Sequence, residues 1–154
     1  MFLVRDTIDD RHARIRAFLP DNPSAAVLFA AADFEWTLRR AIFRLGSSNT
    51  KDMREKVLRK LSGLERYNAA WKREITPRLG RELNELIPEW EKFKENYGLR
   101  NELIHGARGG TSARYATECI ERILAGSRTI ATFAAEHNEP VYGKRLPIRR
   151  TSRS

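Results

Sequence analysis

From Pro23 to Leu45 the side chains Val27, Ala31, Phe34, Leu38, Ile42 and Leu45 recur every three or four residues. That spacing draws one apolar stripe along an α-helix and marks the segment as the central core helix. Its start is written in Asp21-Asn22-Pro23-Ser24, with a capping side chain at Asn22 and a proline in the first turn, where a missing N–H costs nothing. Gly46, followed by Ser47-Ser48-Asn49, ends it.

The remaining segments keep the same period. Phe2 to Leu19 reads as a helix stopped by Pro20. Asn49 or Thr50 caps a third, with Met53, Val57, Leu58 and Leu61 as its buried face. Tyr67, Trp71 and Ile75 stand four apart in a short helix that Pro77 must end. Pro88 opens another, carrying Trp90, Phe93 and Tyr97 and running to His105 before Gly106 and the loop ARGGTS. Ser112 starts the last, packed through Ala116, Ile120, Ile123, Ser127, Ile130 and Ala134 and closed by Asn138 and Pro140. The pattern predicts an all-α fold, an up-and-down bundle of about five helices forming one domain over residues 1–138. Residues 139–154 set Lys144, Arg145, Arg149, Arg150 and Arg153 against Glu139, and read as a mobile basic tail.

With 41% hydrophobic residues in 154, the chain can bury a core without metals or disulfides, and its single cysteine, Cys119, cannot form an internal disulfide. No apolar run approaches the roughly 18 residues needed to cross a bilayer, since AAVLFAAADFEW meets Asp33 and Glu35. The opening MFLVRDTIDD lacks the basic-then-apolar pattern of a secretory signal. These features predict a cytoplasmic protein with no membrane partner. The net charge of +9, from 29 Lys and Arg against 20 Asp and Glu, attracts polyanions, so nucleic acid is the first candidate partner and a solvated basic surface the alternative.

The segment Leu99-Arg100-Asn101-Glu102-Leu103-Ile104-His105-Gly106 carries the candidate chemistry. It presents a cation, an amide and an imidazole between apolar anchors. Asn101 and His105, four apart, share a helical face, whereas Arg100 and His105 lie about 140° apart around an ideal helix. Convergence of those two requires a bend, for which Gly98 offers a place, or the reach of the guanidinium arm.

RNELIHG resembles the Arg-x4-6-His signature of the HEPN superfamily, and the helical pattern from residue 22 to 137 is similar to that family as well. The resemblance implies a compact helical domain that dimerises. It implies either a metal-independent ribonuclease of toxin-antitoxin, anti-phage or CRISPR systems, with an antitoxin or defence-system partner, or a module that binds RNA or nucleotides without cutting. On it Arg100 and His105 are the signature residues and Asn101 the polar residue that follows the arginine. Glu35-Trp36-Thr37-Leu38-Arg39-Arg40 resembles the Glu-x3-Lys-Arg element of some HEPN ribonucleases, making Glu35, Arg39 and Arg40 accessory or RNA-binding residues. Glu35 and Arg39 also read simply as an i,i+4 surface pair. HEPN toxins silenced by nucleotidyltransferase antitoxins carry a tyrosine two residues after the histidine; Ala107 stands there in this chain.

Those groups suit RNA cleavage without a metal or cofactor. An imidazole with an ordinary pKa near 6.5 moves protons at neutral pH, and a guanidinium holds phosphate oxygens through paired N–H bonds. One histidine does not easily serve as both base and acid in one turnover, so a two-fold homodimer joining two motifs is the economical arrangement. The expected products are a 2′,3′-cyclic phosphate and a 5′-hydroxyl. A plain helical interaction subunit is the remaining reading. Elsewhere His12 reads as a surface histidine, His137 as a partner of the last helix's terminal carbonyls, Cys119 as a buried apolar residue, and Trp36, Trp71 and Trp90 as core aromatics with base stacking the alternative. No metal-ligand spacing or Gly-rich phosphate loop is present.

Overall fold

The computed structural model describes residues 3–143 and 145–154. Met1, Phe2, the expected start of the first helix, and Lys144, one of the tail cations, lie outside the described residues. Every regular element among those described is helical. In order they are α1 (Ile8–Ala17), α2 (Pro23–Leu45), α3 (Thr50–Asp52), a π turn (Met53–Val57), a 3-10 turn (Leu58–Lys60), α4 (Leu64–Glu74), α5 (Thr76–Leu79), α6 (Leu83–Leu86), α7 (Trp90–Ile104) and α8 (Ala113–Glu136). Since α3, α5 and α6 are only three or four residues long, the helices long enough to pack along one another are α1, α2, α4, α7 and α8. None is long and apolar enough to cross a membrane among the described residues.

Local chemistry sets the boundaries. Thr7 and Asp10 form a reciprocal capping box, Thr7 Oγ1 accepting from Asp10 N and Asp10 Oδ2 from Thr7 N, each at 3.1 Å, which fixes the start of α1 at Ile8. Asn22 caps α2 by accepting from Ala25 N at 3.0 Å, and Ser112 caps α8 by accepting from Tyr115 N at 3.2 Å. All six stripe residues of α2 are buried, as is the packed side of α8, and these two helices form the principal packing pair. The third segment starts under its Asn49 cap but widens at once into the π turn, with Met53, Val57 and Leu58 facing the core.

Gly126 lets α8 approach the aromatic layer beneath it. A Cβ there would lie 2.7 Å from Phe93 Cε2 and 3.2 Å from Phe34 Cε2. Phe93 is stacked between Trp90 and Tyr97 at centroid distances of 5.8 and 6.3 Å, so its ring would have to shift against both. Alanine would gain about 1 kcal/mol of helix propensity, yet overpacking a filled core costs about 1–3 kcal/mol, so the clash wins. Gly126→Ala is expected to lower Tm by a few degrees. Gly98→Ala in α7, where a Cβ meets nothing within 4 Å, is expected to raise it. Thermal unfolding followed by circular dichroism checks the opposite signs.

Two expectations need correction. His12 is buried, with Nε2 3.1 Å from Asp33 Oδ2, beside the ion pair of Arg11 Nε with Asp33 Oδ1 at 2.6 Å. Asp33 comes from the adjacent α2, so a partner remote in sequence turned an apparently solvated imidazole inward. The tail is held in place along the end of α2. Val141 is buried, its carbonyl accepts from Arg40 Nε at 2.6 Å, and the Tyr142 hydroxyl meets Thr37 and Asp33. Arg149 accepts at its carbonyl from Thr50 N, donates its own N–H to Thr50 Oγ1, and directs its guanidinium to the carbonyls of Arg44 and Ser48; Arg153 N donates to Ser47 O at 2.6 Å. The carbonyls at a helix C-terminus need donors, and the tail supplies them.

Candidate active site

The end of α7 carries the motif. The helix stays α-helical through Gly98 up to Ile104, and His105 is its C-cap, donating its backbone N–H to Asn101 O at 3.0 Å. The backbone therefore makes no bend that would swing Arg100 toward His105. Arg100 instead donates from Nη1 to Asn101 Oδ1 at 2.8 Å and places Nη2 3.6 Å from Glu35 Oε1. Both charged side chains stay partly open to solvent, Arg100 at 29% and Glu35 at 23% exposure. The His105 ring is exposed and has no hydrogen-bond partner among the described residues.

Glu35 is the organising acid of the cluster. It lies on α2 and accepts from the Tyr97 hydroxyl as well as facing Arg100. Burial, then the hydrogen bond and charge of Glu35, pushes the Tyr97 phenol far above its ordinary value, so it remains a donor. Arg39, one turn along α2, reaches the Tyr67 hydroxyl at 3.4 Å. Burial raises the Tyr67 phenol, with the Arg39 hydrogen bond opposing it. The i,i+4 surface pair of Glu35 with Arg39 does not form among the described residues; each turns to a remote partner instead. Arg40 points away from this cluster, donating to Val141 O and lying 4.4 Å over the Trp36 ring, and burial lowers its pKa.

Arg100, Asn101, Glu35 and Arg39 thus gather around Tyr97 and Tyr67, His105 stands one turn beyond, and Arg40 belongs to a separate aromatic contact. The two tyrosines were read from the sequence as packing residues and not as part of the site, although Tyr97 lies four residues before Asn101 on one face of α7 and that spacing signals it. Ile104 is 50% exposed beside the histidine, an apolar surface at the motif itself. Of the other residues weighed, His137 Nδ1 lies 2.9 Å from Phe133 O, Cys119 is fully buried with its thiol raised by that burial, and Trp71 is a core residue. Among the described residues no three His, Cys, Asp or Glu side chains are grouped to hold a metal ion. Compared with family models, characterised proteins and solved structures, the chain has no match.

The arrangement offers an anion clamp and a proton-transfer group. A guanidinium held by an amide oxygen and a carboxylate keeps further N–H groups that can bind an anion, and an exposed imidazole can accept or donate a proton.

Proposed function

We propose that the protein is a metal-independent, HEPN-like endoribonuclease built on an up-and-down helical bundle, an effector of the toxin or phage-defence kind. The observation that carries this reading is the Arg100 guanidinium, oriented by Asn101 and Glu35 one turn before an exposed His105. His105 transfers the protons, Arg100 holds the reacting phosphate, and Asn101 with Glu35 positions Arg100. A homodimer places the motifs of two chains in one cleft so that one imidazole acts as base and the other as acid; exposed Ile104 is the apolar contact beside it. A cytoplasmic RNA substrate and an antitoxin or defence-system partner belong to the same reading.

Without a metal the nearest nucleophile is the neighbouring 2′-oxygen. The expected result is cleavage of RNA in EDTA to 2′,3′-cyclic phosphate and 5′-hydroxyl ends, with DNA spared. An RNA carrying a single 2′-deoxy sugar at the cut site should survive there, because that change removes the nucleophile alone. Cleavage at the deoxy position, or a requirement for added magnesium, would overturn the mechanism.

A non-catalytic RNA- or nucleotide-binding module is the second reading. It is favoured by the lack of any hydrogen bond between Arg100 and His105 among the described residues, and it predicts RNA binding with no cleavage under any condition.

A further inference from the structure

Beside the motif cluster lies a cavity of 410 Å³ whose walls carry Arg39, Arg40, Arg54 and Arg145 around the rings of Trp36 and Phe43. Among the described residues its lining contains no carboxylate. Some arginines elsewhere are neutralised, Arg14, Arg16, Arg44, Arg122 and Arg128 each having an Asp or Glu oxygen within 2.7 Å, while others such as Arg66 and Arg149 take backbone carbonyls. Arg39, Arg54 and Arg145 enter no ion pair among the described residues, and Arg40 takes a backbone carbonyl. Like charges around one cavity repel each other, and an anion between them removes that cost.

The aromatic faces help to decide which anion. Trp36 has the Arg11 guanidinium 3.9 Å from its ring centroid and that of Arg40 at 4.4 Å, and Arg54 lies over Phe43 at 5.6 Å. With guanidiniums on the rings, the cavity offers N–H forks where a base-stacking site would offer open rings. Such forks fit phosphate oxygens in pairs and carry no sequence information. The cavity also adjoins the motif, because Arg39 lines it while bonding to Tyr67, whose phenol lies in the field of both Glu35 and Arg100.

We propose that this cavity is a backbone-phosphate subsite, which holds a single-stranded stretch of RNA flanking the phosphate bound at Arg100. The assignment rests on the reading of the protein as RNA-acting, but it does not require cleavage.

The test uses His105→Ala protein, so that the RNA stays whole, and a labelled single strand of about 12 nucleotides followed by fluorescence anisotropy across a salt series. Arg54 and Arg145 are both exposed, so the Arg54→Ala/Arg145→Ala pair should fold, with an unchanged Tm as the check. Its slope of log affinity against log salt is expected to fall by about 1.4, two contacts at about 0.7 each. Between about 50 and 200 mM salt the variant should then lose roughly sevenfold less affinity than its parent. Arg54→Lys/Arg145→Lys should keep most of the slope, and DNA of the same length should show the same drop. An unchanged slope in the alanine pair overturns the subsite. So does a poly-glutamate peptide that displaces the RNA as well as unlabelled RNA does and depends on the same two arginines, since the cavity would then dock an acidic protein segment. Cleavage by protein with His105 intact is scored separately. An unchanged slope beside intact cleavage removes the subsite alone, whereas a reduced slope without any cleavage removes the nuclease reading and leaves the subsite standing.

Discussion

Replacing His105 with alanine is expected to lower RNA cleavage by about 10²-fold or more, in line with loss of a general acid or base, while RNA affinity barely changes. The ring is exposed and bonds to nothing among the described residues, so its removal should leave Tm unchanged and the kinetic loss can be assigned to chemistry. Arg100→Ala should behave differently. A guanidinium clamping the phosphate works in the ground state and more strongly as charge builds, so both affinity and the rate at saturation should fall. It also leaves Glu35 facing Tyr97 without its cation, an uncompensated acid beside the substrate. Glu35→Gln keeps the shape and the acceptor for Tyr97 but removes the ionic part of the hold on Arg100. Its effect should therefore be smaller than that of Arg100→Ala and should appear at both stages. Cleavage at the wild-type rate by His105→Ala would end the proton-transfer role.

What the sequence made visible divides along a physical line. Interactions confined to one helix were legible. The stripe from Val27 to Leu45 and the packed side of α8 lie in the core, and Asn22, Asn49 and Ser112 cap the helices they precede. These depend on side chains a few residues apart, which periodicity and capping chemistry report directly. Interactions between segments were not legible. His12 finds Asp33, Glu35 finds Arg100 and Tyr97, and Arg149 finds the carbonyls at the end of α2. Each joins residues on separate elements, and nothing local to either residue announces the other. In the candidate site this meant that the motif residues were named while the acid organising them was reached only by resemblance. The four arginines of the cavity are scattered over α2, the π turn and the tail, and their shared wall is invisible until the tail is placed.

Asp33 is where the largest loss of stability is expected. Its carboxylate is fully buried, accepting from Arg11 Nε at 2.6 Å and facing His12 Nε2 at 3.1 Å, with the Tyr142 hydroxyl 3.3 Å away. Burial alone would raise its pKa, but the hydrogen bonds from His12 and Arg11 together outweigh that and hold it below the ordinary carboxylate value. Removing one partner of a buried ion pair costs about 3–5 kcal/mol, against a total stability of roughly 5–15 kcal/mol for a folded domain. Asp33→Asn retains the volume and loses the charge, so it should lower Tm by roughly 6–20 °C. Part of that loss should reach the arginine cavity, because Arg11 stacks on Trp36, one of its walls. The pH dependence follows from the depressed pKa. Between the folded and unfolded values the unfolded chain binds the extra proton, so Asp33 contributes its full stabilisation above about pH 4 and loses it as pH falls through the lower folded value. Urea unfolding from about pH 5 down to pH 2 should give a steeper acid loss for the wild type than for Asp33→Asn, so that the two curves converge at the acid end. Equal stability at neutral pH, or parallel acid slopes, would show that Arg11 and His12 are satisfied without this carboxylate.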